Sequence, residues 1–229
     1  MDKPIRPVTP KSHALIKLCQ LRQSSRWPRY NALADYHNGV YECNFVSPYT
    51  RSAGNTDAEL MVMLQDWASD EVLRGEVLEE RVRLGHDPAR ITNRRLKELL
   101  QGHFGLGLAE VYATNLFPFI KRGRMSSAIP FRDLVRAARE FGWPQVEIVR
   151  PRTLVCLGLG TFSAMGVAAG RPRATRLDEA IDLPFTHGGV RVWCQAHTGQ
   201  QGTNMRNAGG VDRVAGDWEG MPRQHRGRG

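Results

Sequence analysis

Asn115, His197 and Ser47 are the side chains in this sequence whose types and positions suit the handling of a polar ligand. Asn115 lies within VYATNLFPF (Val111–Phe119), a continuous apolar run bounded by Gly107 and Pro118, which reads as a strand covered on both faces. An amide at the carboxyl end of such a strand sits where open α/β sheets bind ligands. The alternative is that Asn115 ties its own loop together through local side-chain to backbone bonds. His197 closes a second apolar run, VRVWCQA, and Ser47, followed by Pro48 and Tyr49, closes a third, VYECNFV. The loop after Asn115 brings Lys121, Arg122 and Arg124 together within four residues, a grouping suited to an anion.

The elements that must position these groups follow from pattern and punctuation. Residues up to about Pro10 form a polar, Pro-rich arm, and Ser12 can cap a helix through about Gln23. RQSSRWPRYN, basic and aromatic, reads either as a loop or nucleic-acid contact or as a solvated connector with Trp27 pinned to the core. The first strand is expected over Val40–Pro48. Thr56 and Glu59 have capping-box spacing, and Leu60, Met63, Leu64 and Trp67 recur at helical steps, so a helix is expected from Thr56. Charged helices follow over about Asp70–Leu84 and Thr92–Gln101, the second with Arg94, Arg95 and Lys97 on one face, which is usually a solvated face. Phe131–Phe141 is amphipathic. Arg152–Gly160 is the third strand, running through Gly158-Leu159-Gly160 into a small-residue helix. That lone Gly-x-Gly reads as a tight turn. Val190–Ala196 is the fourth strand, and a short helix is expected around Val211–Trp218 before a basic tail.

Strands alternating with helices predict a three-layer α/β/α sandwich around a four-stranded, mostly parallel sheet. Right-handed crossovers then put the strand ends on one edge. The division expected is an arm and helix over 1–39, the α/β domain over 40–208, and a helix and tail over 209–229.

Composition bounds the function. With 229 residues, 41% hydrophobic and 24% charged, the chain is an ordinary globular protein. No apolar run approaches the ~20 residues needed to cross a bilayer, and MDKPIRPVTPK lacks the apolar core of a signal peptide, so the cytosol or nucleoid is the expected compartment. Cys19, Cys43, Cys156 and Cys194 are scattered, without zinc-site spacing, and are expected to be reduced thiols. A formal charge of +9 points to a polyanionic partner, with nucleic acid the commonest.

Taken in order, VSPYT, ATNLFPF, LVCLGLGT and AHTGQQGTNMRN resemble the motifs of the uracil-DNA glycosylase superfamily, over roughly Val40–Asn207. The resemblance implies a DNA base-excision enzyme that flips a uracil or related deaminated base and hydrolyses its N-glycosidic bond, as a monomer and without metal or other cofactor. It implies that Asn115 reads the base edge by donating and accepting, and that His197 lies against the base carbonyl nearest the sugar. Tyr49, beside Pro48, would form the wall that crowds a thymine methyl. Phe45 or Phe117 would stack on the base. In the loop Thr203–Arg206, Asn204, Met205 and Arg206 would meet DNA, with Met205 the apolar wedge. Lys121, Arg122 and Arg124 would meet phosphates.

The chain also departs from the family. Ser47 stands where the best-known members carry an acid, and Thr198 stands where a Pro usually follows the His. Asp57 and Asp66 are the nearest acids that could orient water instead. Two other readings compete: a catalytically silent relative that binds nucleic acid or a free base, and an unrelated α/β hydrolase or nucleotide-binding domain in which Asn115 and His197 are structural.

Overall fold

Leu60–Leu64 is apolar at five consecutive positions and every one of them is buried. A run of that kind satisfies helical spacing by default, yet it suits a strand with a hydrophobic layer on each face equally well. The computed structural model, which describes residues 10–223, makes it a strand. In chain order the elements are α1 (Pro10–Ser24), β1 (Tyr30–Asn31), β2 (Leu60–Asp66), α2 (Asp70–Arg74), α3 (Glu79–Leu84) and α4 (Ile91–Phe104). Then come β3 (Tyr112–Phe117), β4 (Ile120–Lys121), α5 (Phe131–Ala137), α6 (Trp143–Val149), β5 (Thr153–Leu157), α7 (Leu159–Ala168) and α8 (Leu177–Asp182). β6 (Phe185–His187), β7 (Val190–Gln195), α9 (Gln200–Arg206) and α10 (Arg213–Arg223) complete the chain. The arm before Pro10 and the basic tail after residue 223 lie outside the described residues.

The fold is a three-layer α/β/α sandwich. Its sheet has five strands in the order β3-β2-β5-β7-β6, parallel except for the short edge strand β6. Alternate residues of β2 point to opposite cores. Met61 and Met63 join Leu154, Cys156 and Cys194 beneath α1, α5, α6 and α7. Leu60, Val62 and Leu64 join Val155, Leu157 and Trp193 beneath α4 and α10. Leu15 and Leu18 of α1 enter the first core, and Val214, Trp218 and Met221 of α10 enter the second, so the flanking pieces are packed onto the sheet.

Two expectations are corrected. The helix expected from Thr56 does not form: the turn there is made by Asn55, whose carbonyl oxygens accept from Asp57 and Ala58 N–H, and β2 follows. The strand expected over Val40–Pro48 is an irregular buried segment. Its carbonyls are met by side chains in place of a neighbouring strand: Arg22 and Gln23 donate to Cys43 O, and Arg51 donates to Glu42 O at 2.9 Å. Arg22, almost wholly buried, also pairs with Glu42, so the arginine both neutralises that acid and fastens the segment to α1. The third and fourth strands form as β5 and β7, and the expected first helix forms as α1.

The segment ends in a 3-10 turn, Pro48–Arg51, capped by Ser47. Thr50 Oγ1 donates to Ala113 O at 2.9 Å, which staples this turn to β3. On its other side Gly85, with φ of +76°, approaches so closely that a Cβ there would lie 1.7 Å from the Pro48 carbonyl oxygen. Gly85→Ala is therefore expected to destabilise the protein by about 2 kcal/mol or more, from left-handed strain and the clash together. Urea titration should show a lower midpoint with an unchanged slope.

Candidate functional site

Parallel strands joined by crossovers deliver their carboxyl ends to one edge. There β2 ends in Asp66, β3 presents Asn115 near its end, β5 stops at Gly158, and β7 is followed by Ala196 and His197. Asp66, Asn115 and His197 line one cavity of about 70 Å³, together with Tyr49, Trp67, His86, Arg90, Asn93 and Met125. Gly158 begins the tight turn into α7, and its φ of +93° suits glycine. Gly158 and Gly160 lie at this edge without lining the cavity.

Asn115 is almost fully buried, and its Oδ1 accepts from Ser47 Oγ at 2.6 Å. Ser47 Oγ in turn accepts Tyr49 N–H at 3.2 Å. The Asn115 carbonyl is therefore held by Ser47, and Nδ2 is the amide atom without a protein partner among the described residues. Ser47 itself is buried in this arrangement and does not line the cavity.

His197 has a defined tautomer. Gly199 N–H donates to its Nδ1 at 2.9 Å, so the neutral ring carries its proton on Nε2, as a donor. Part of the ring is open to solvent, but burial of the rest pushes its pKa below the ordinary histidine value; Lys121 adds to this and Asp66 opposes it. Thr198 Oγ1 donates to Thr92 O at 3.0 Å, tying the end of β7 to the start of α4.

Asp87, 3.8 Å from both Arg81 and Arg90, lines the cavity, and so does Asp66. The Asp66 carboxylate pairs with Lys121 Nζ at 2.9 Å, and both side chains are buried. Lys121 also donates to Met125 O. This corrects the expectation that Lys121 meets a phosphate: its charge is spent inside the protein. Asp57 sits before β2, at the opposite end of the sheet, paired with Lys11 at 3.0 Å and largely exposed. Of the two acids named from sequence, only Asp66 is at the cleft. Helical patterning hid this, since it left Asp66 beside a core stripe on a helix that does not form.

Tyr49 forms a cavity wall. Its ring stacks on His86 with centroids 5.1 Å apart, and its hydroxyl donates to Asn93 Oδ1 at 3.1 Å. Burial raises the Tyr49 pKa well above the ordinary phenol value, so it stays a neutral donor. His86 and Asn93 were not singled out from sequence; no motif marks them. Phe117 is elsewhere, packed edge-on against Trp27 and Tyr30 in the first core. Phe45 packs against the satellite cluster around Tyr41 and Leu73. Neither lines the cavity, and Pro48 serves to start the turn.

The surface around the cleft is basic. Arg122 and Arg124 are exposed on the loop that carries Met125, with Arg124 3.5 Å from Glu71. Arg90, Arg94 and Lys97 are exposed at α4. The expected inserting loop is the helix α9. Met205 projects from it at 71% exposure, and Asn204 is exposed beside it. Arg206 is held inward, bidentate to Asp217 at 2.6 and 2.8 Å and paired with Asp178, which corrects its expected contact with phosphate or an orphan base.

Among the described residues no cluster of three or more His, Cys, Asp or Glu is arranged to hold a metal ion, and no helix is long and apolar enough to cross a membrane. Comparison with protein-family models and with curated proteins gave no match.

His86 as well as His197 has its pKa lowered. Burial is the main cause at His86 and Lys97 adds to it, against the Leu84 carbonyl, Asp87 and Glu80. The unfolded chain therefore binds more protons than the fold in mild acid. The stability contributed by neutral imidazoles is full above about pH 6.5 and is lost as pH falls through the lowered folded values. The urea midpoint should drop between about pH 6.5 and 5, before carboxylates titrate, and a flat midpoint there would show that neither ring is held neutral.

Proposed function

We propose that this chain hydrolyses the N-glycosidic bond of uracil or a related deaminated base in DNA, after the base has rotated out of the duplex. One observation carries the reading: Asp66, Asn115 and a neutral His197 with its proton on Nε2 come from three strand ends to line one cavity. Glycosidic cleavage builds positive charge on the sugar and negative charge on the base. An anionic carboxylate can stabilise the sugar and orient water, and a donor aimed at the base stabilises the departing anion more than the bound ground state. Asp66 takes the first role, at the strand-end position the resemblance had given to Ser47. His197 Nε2–H takes the second, and Asn115 Nδ2 donates to a base carbonyl. Water supplies hydroxyl to the sugar carbon and a proton to the base, leaving an abasic site and the free base. Tyr49 bounds the pocket where a methyl would project.

DNA is the partner in this reading. Arg90 lines the cavity, and Arg122 and Arg124 stand on the loop that carries Met125; with Arg94 and Lys97 of α4 they would meet phosphates, and Met205 on α9 would be the wedge. A monomer acting in the cytosol or on the nucleoid fits the same reading. The second reading, a silent relative that only binds nucleic acid or a base, draws on Lys121, which neutralises Asp66.

The deciding assay is alkaline cleavage at abasic sites in oligonucleotides carrying uracil, hypoxanthine, xanthine or thymine. Base release is expected from at least one deaminated base. His197→Ala and Asp66→Asn should each lower the rate by about a hundredfold or more, while Asp57→Asn leaves it unchanged. A wild type that binds these oligonucleotides but releases no base would transfer the case to the silent relative.

Binding should weaken steeply with salt, because neutralised phosphates release condensed counterions. Replacing Arg122 and Arg124 together by Ala should flatten the plot of log affinity against log salt by up to ~1.8, about 0.9 for each phosphate contact. A loss confined to one DNA sequence would contradict a phosphate role.

A further inference from the structure

We infer that Ser47 is a positioning residue: its hydroxyl fixes the Asn115 amide so that only Nδ2 faces the cavity, which makes the cavity select a ligand carbonyl over an exocyclic amine. The identity of the ligand as a nucleobase rests on the function proposed above.

The amide orientation follows from hydrogen-bond bookkeeping at two buried residues. Ser47 and Asn115 are each 1% exposed, so solvent does not complete their bonding. Ser47 Oγ already accepts from Tyr49 N–H, and its one proton points to the Asn115 atom 2.6 Å away. That atom must be an acceptor, the carbonyl Oδ1. With the amide turned by half a rotation, the hydroxyl proton would face an N–H donor and lose its partner in a buried site, which is costly. The hydroxyl cannot drift from this place. Ser47 caps the Pro48–Arg51 turn, Thr50 staples that turn to Ala113 O, and Gly85 closes against the Pro48 carbonyl.

Nδ2 has no protein partner among the described residues, and Asn115 lines the cavity. Its free donor meets a carbonyl oxygen as a hydrogen bond. Against an exocyclic amine it sets donor against donor, leaving both unpaired, and sites built on hydrogen bonds reject such ligands strongly. Ser47 does not touch the ligand. It acts through Asn115, and without it the amide can present either end.

The test uses the full chain and two free bases, uracil with a carbonyl and cytosine with an amine at the matching ring position, titrated by calorimetry or ligand-observed NMR. Wild type should prefer uracil by about tenfold or more. Ser47→Ala should shrink that preference at least ~fivefold, with weaker uracil binding and stronger cytosine binding, since a freely turning amide offers Oδ1 to the amine. Ser47→Thr keeps the hydroxyl and should restore the preference. Ser47→Cys fills the same space with a weak donor and should fall between, which keeps the test open if alanine disrupts the turn. An unchanged preference in Ser47→Ala overturns the inference. So does an equal weakening of both bases accompanied by a lower melting temperature, which is what a merely structural serine would give. Wild type that binds neither base overturns the nucleobase reading and the selectivity drawn from it. That result is distinct from the other failures, in which wild type discriminates.

Discussion

The parallel pairing of β2 with β3 on one side and β5 on the other is the constraint from which the site descends. A strand in that position has no free edge and no solvated face, so its residues must be apolar until the sheet ends. Leu64 is the last buried apolar residue of β2, and Asp66 comes two positions later, on the same face. In register, Leu64 lies opposite Asn115. The sheet thus sets a carboxylate and an amide on one face, two register positions apart, before any loop contributes, and a site built on strand ends is held more rigidly than one built on loops.

Burying Asp66 carries an electrostatic cost that Lys121 offsets. A buried ion pair adds little net stability compared with apolar residues of the same volume, whereas removing one partner strands the other's charge. The pair is better understood as a positional device. It holds the carboxylate at the mouth of β2 and joins it, through the Lys121 bond to Met125 O, to the loop that covers one side of the cavity. Thr198 and Gly199 do the same for His197, one anchoring the end of β7 to α4 and the other fixing the imidazole tautomer. Asp66, Asn115 and His197 are each oriented by a neighbour that does not itself hold a side chain in the cavity, namely Lys121, Ser47 and Gly199, and such supporting contacts preorganise a site.

Much of this was legible in the sequence where an apolar run was bounded by glycine or proline. VYATNLFPF, LVCLGLG and VRVWCQA each gave a strand and the residue at its end, so Asn115 and His197 were found. The first strand was not. VYECNFV looks like a strand by composition, but Arg22, Gln23 and Arg51 satisfy its backbone from elsewhere, and long-range side-chain bonds leave no local pattern. LMVMLQD matches helical spacing because a continuous apolar run matches every spacing. That exchange put Asp66 on a helix, beside a core stripe, and left Ser47 at the expected strand end, with Asp57 and Asp66 only as nearby candidates. Lys121 and Arg206 were misjudged for a related reason: charge is visible in a sequence, but the buried partners that occupy it, Asp66 and Asp217, are not adjacent in the chain.

The cavity also has a consequence for how a ligand is captured. At about 70 Å³ it is small, less than half of the ~150 Å³ of an engineered cavity that accepts benzene. A six-membered ring would enter only after part of the wall withdraws, and Trp67, His86, Arg90, Met125 and His197 all stand on wall segments outside any helix or strand. For such a ring the described conformation would be the closed member of an equilibrium. Observed affinity is the intrinsic affinity reduced by the open fraction, so an opening populated at about one part in a hundred weakens binding about a hundredfold. Capture under those terms would be gated: its rate would follow how often the wall opens, and additional collisions with a closed cleft would gain nothing.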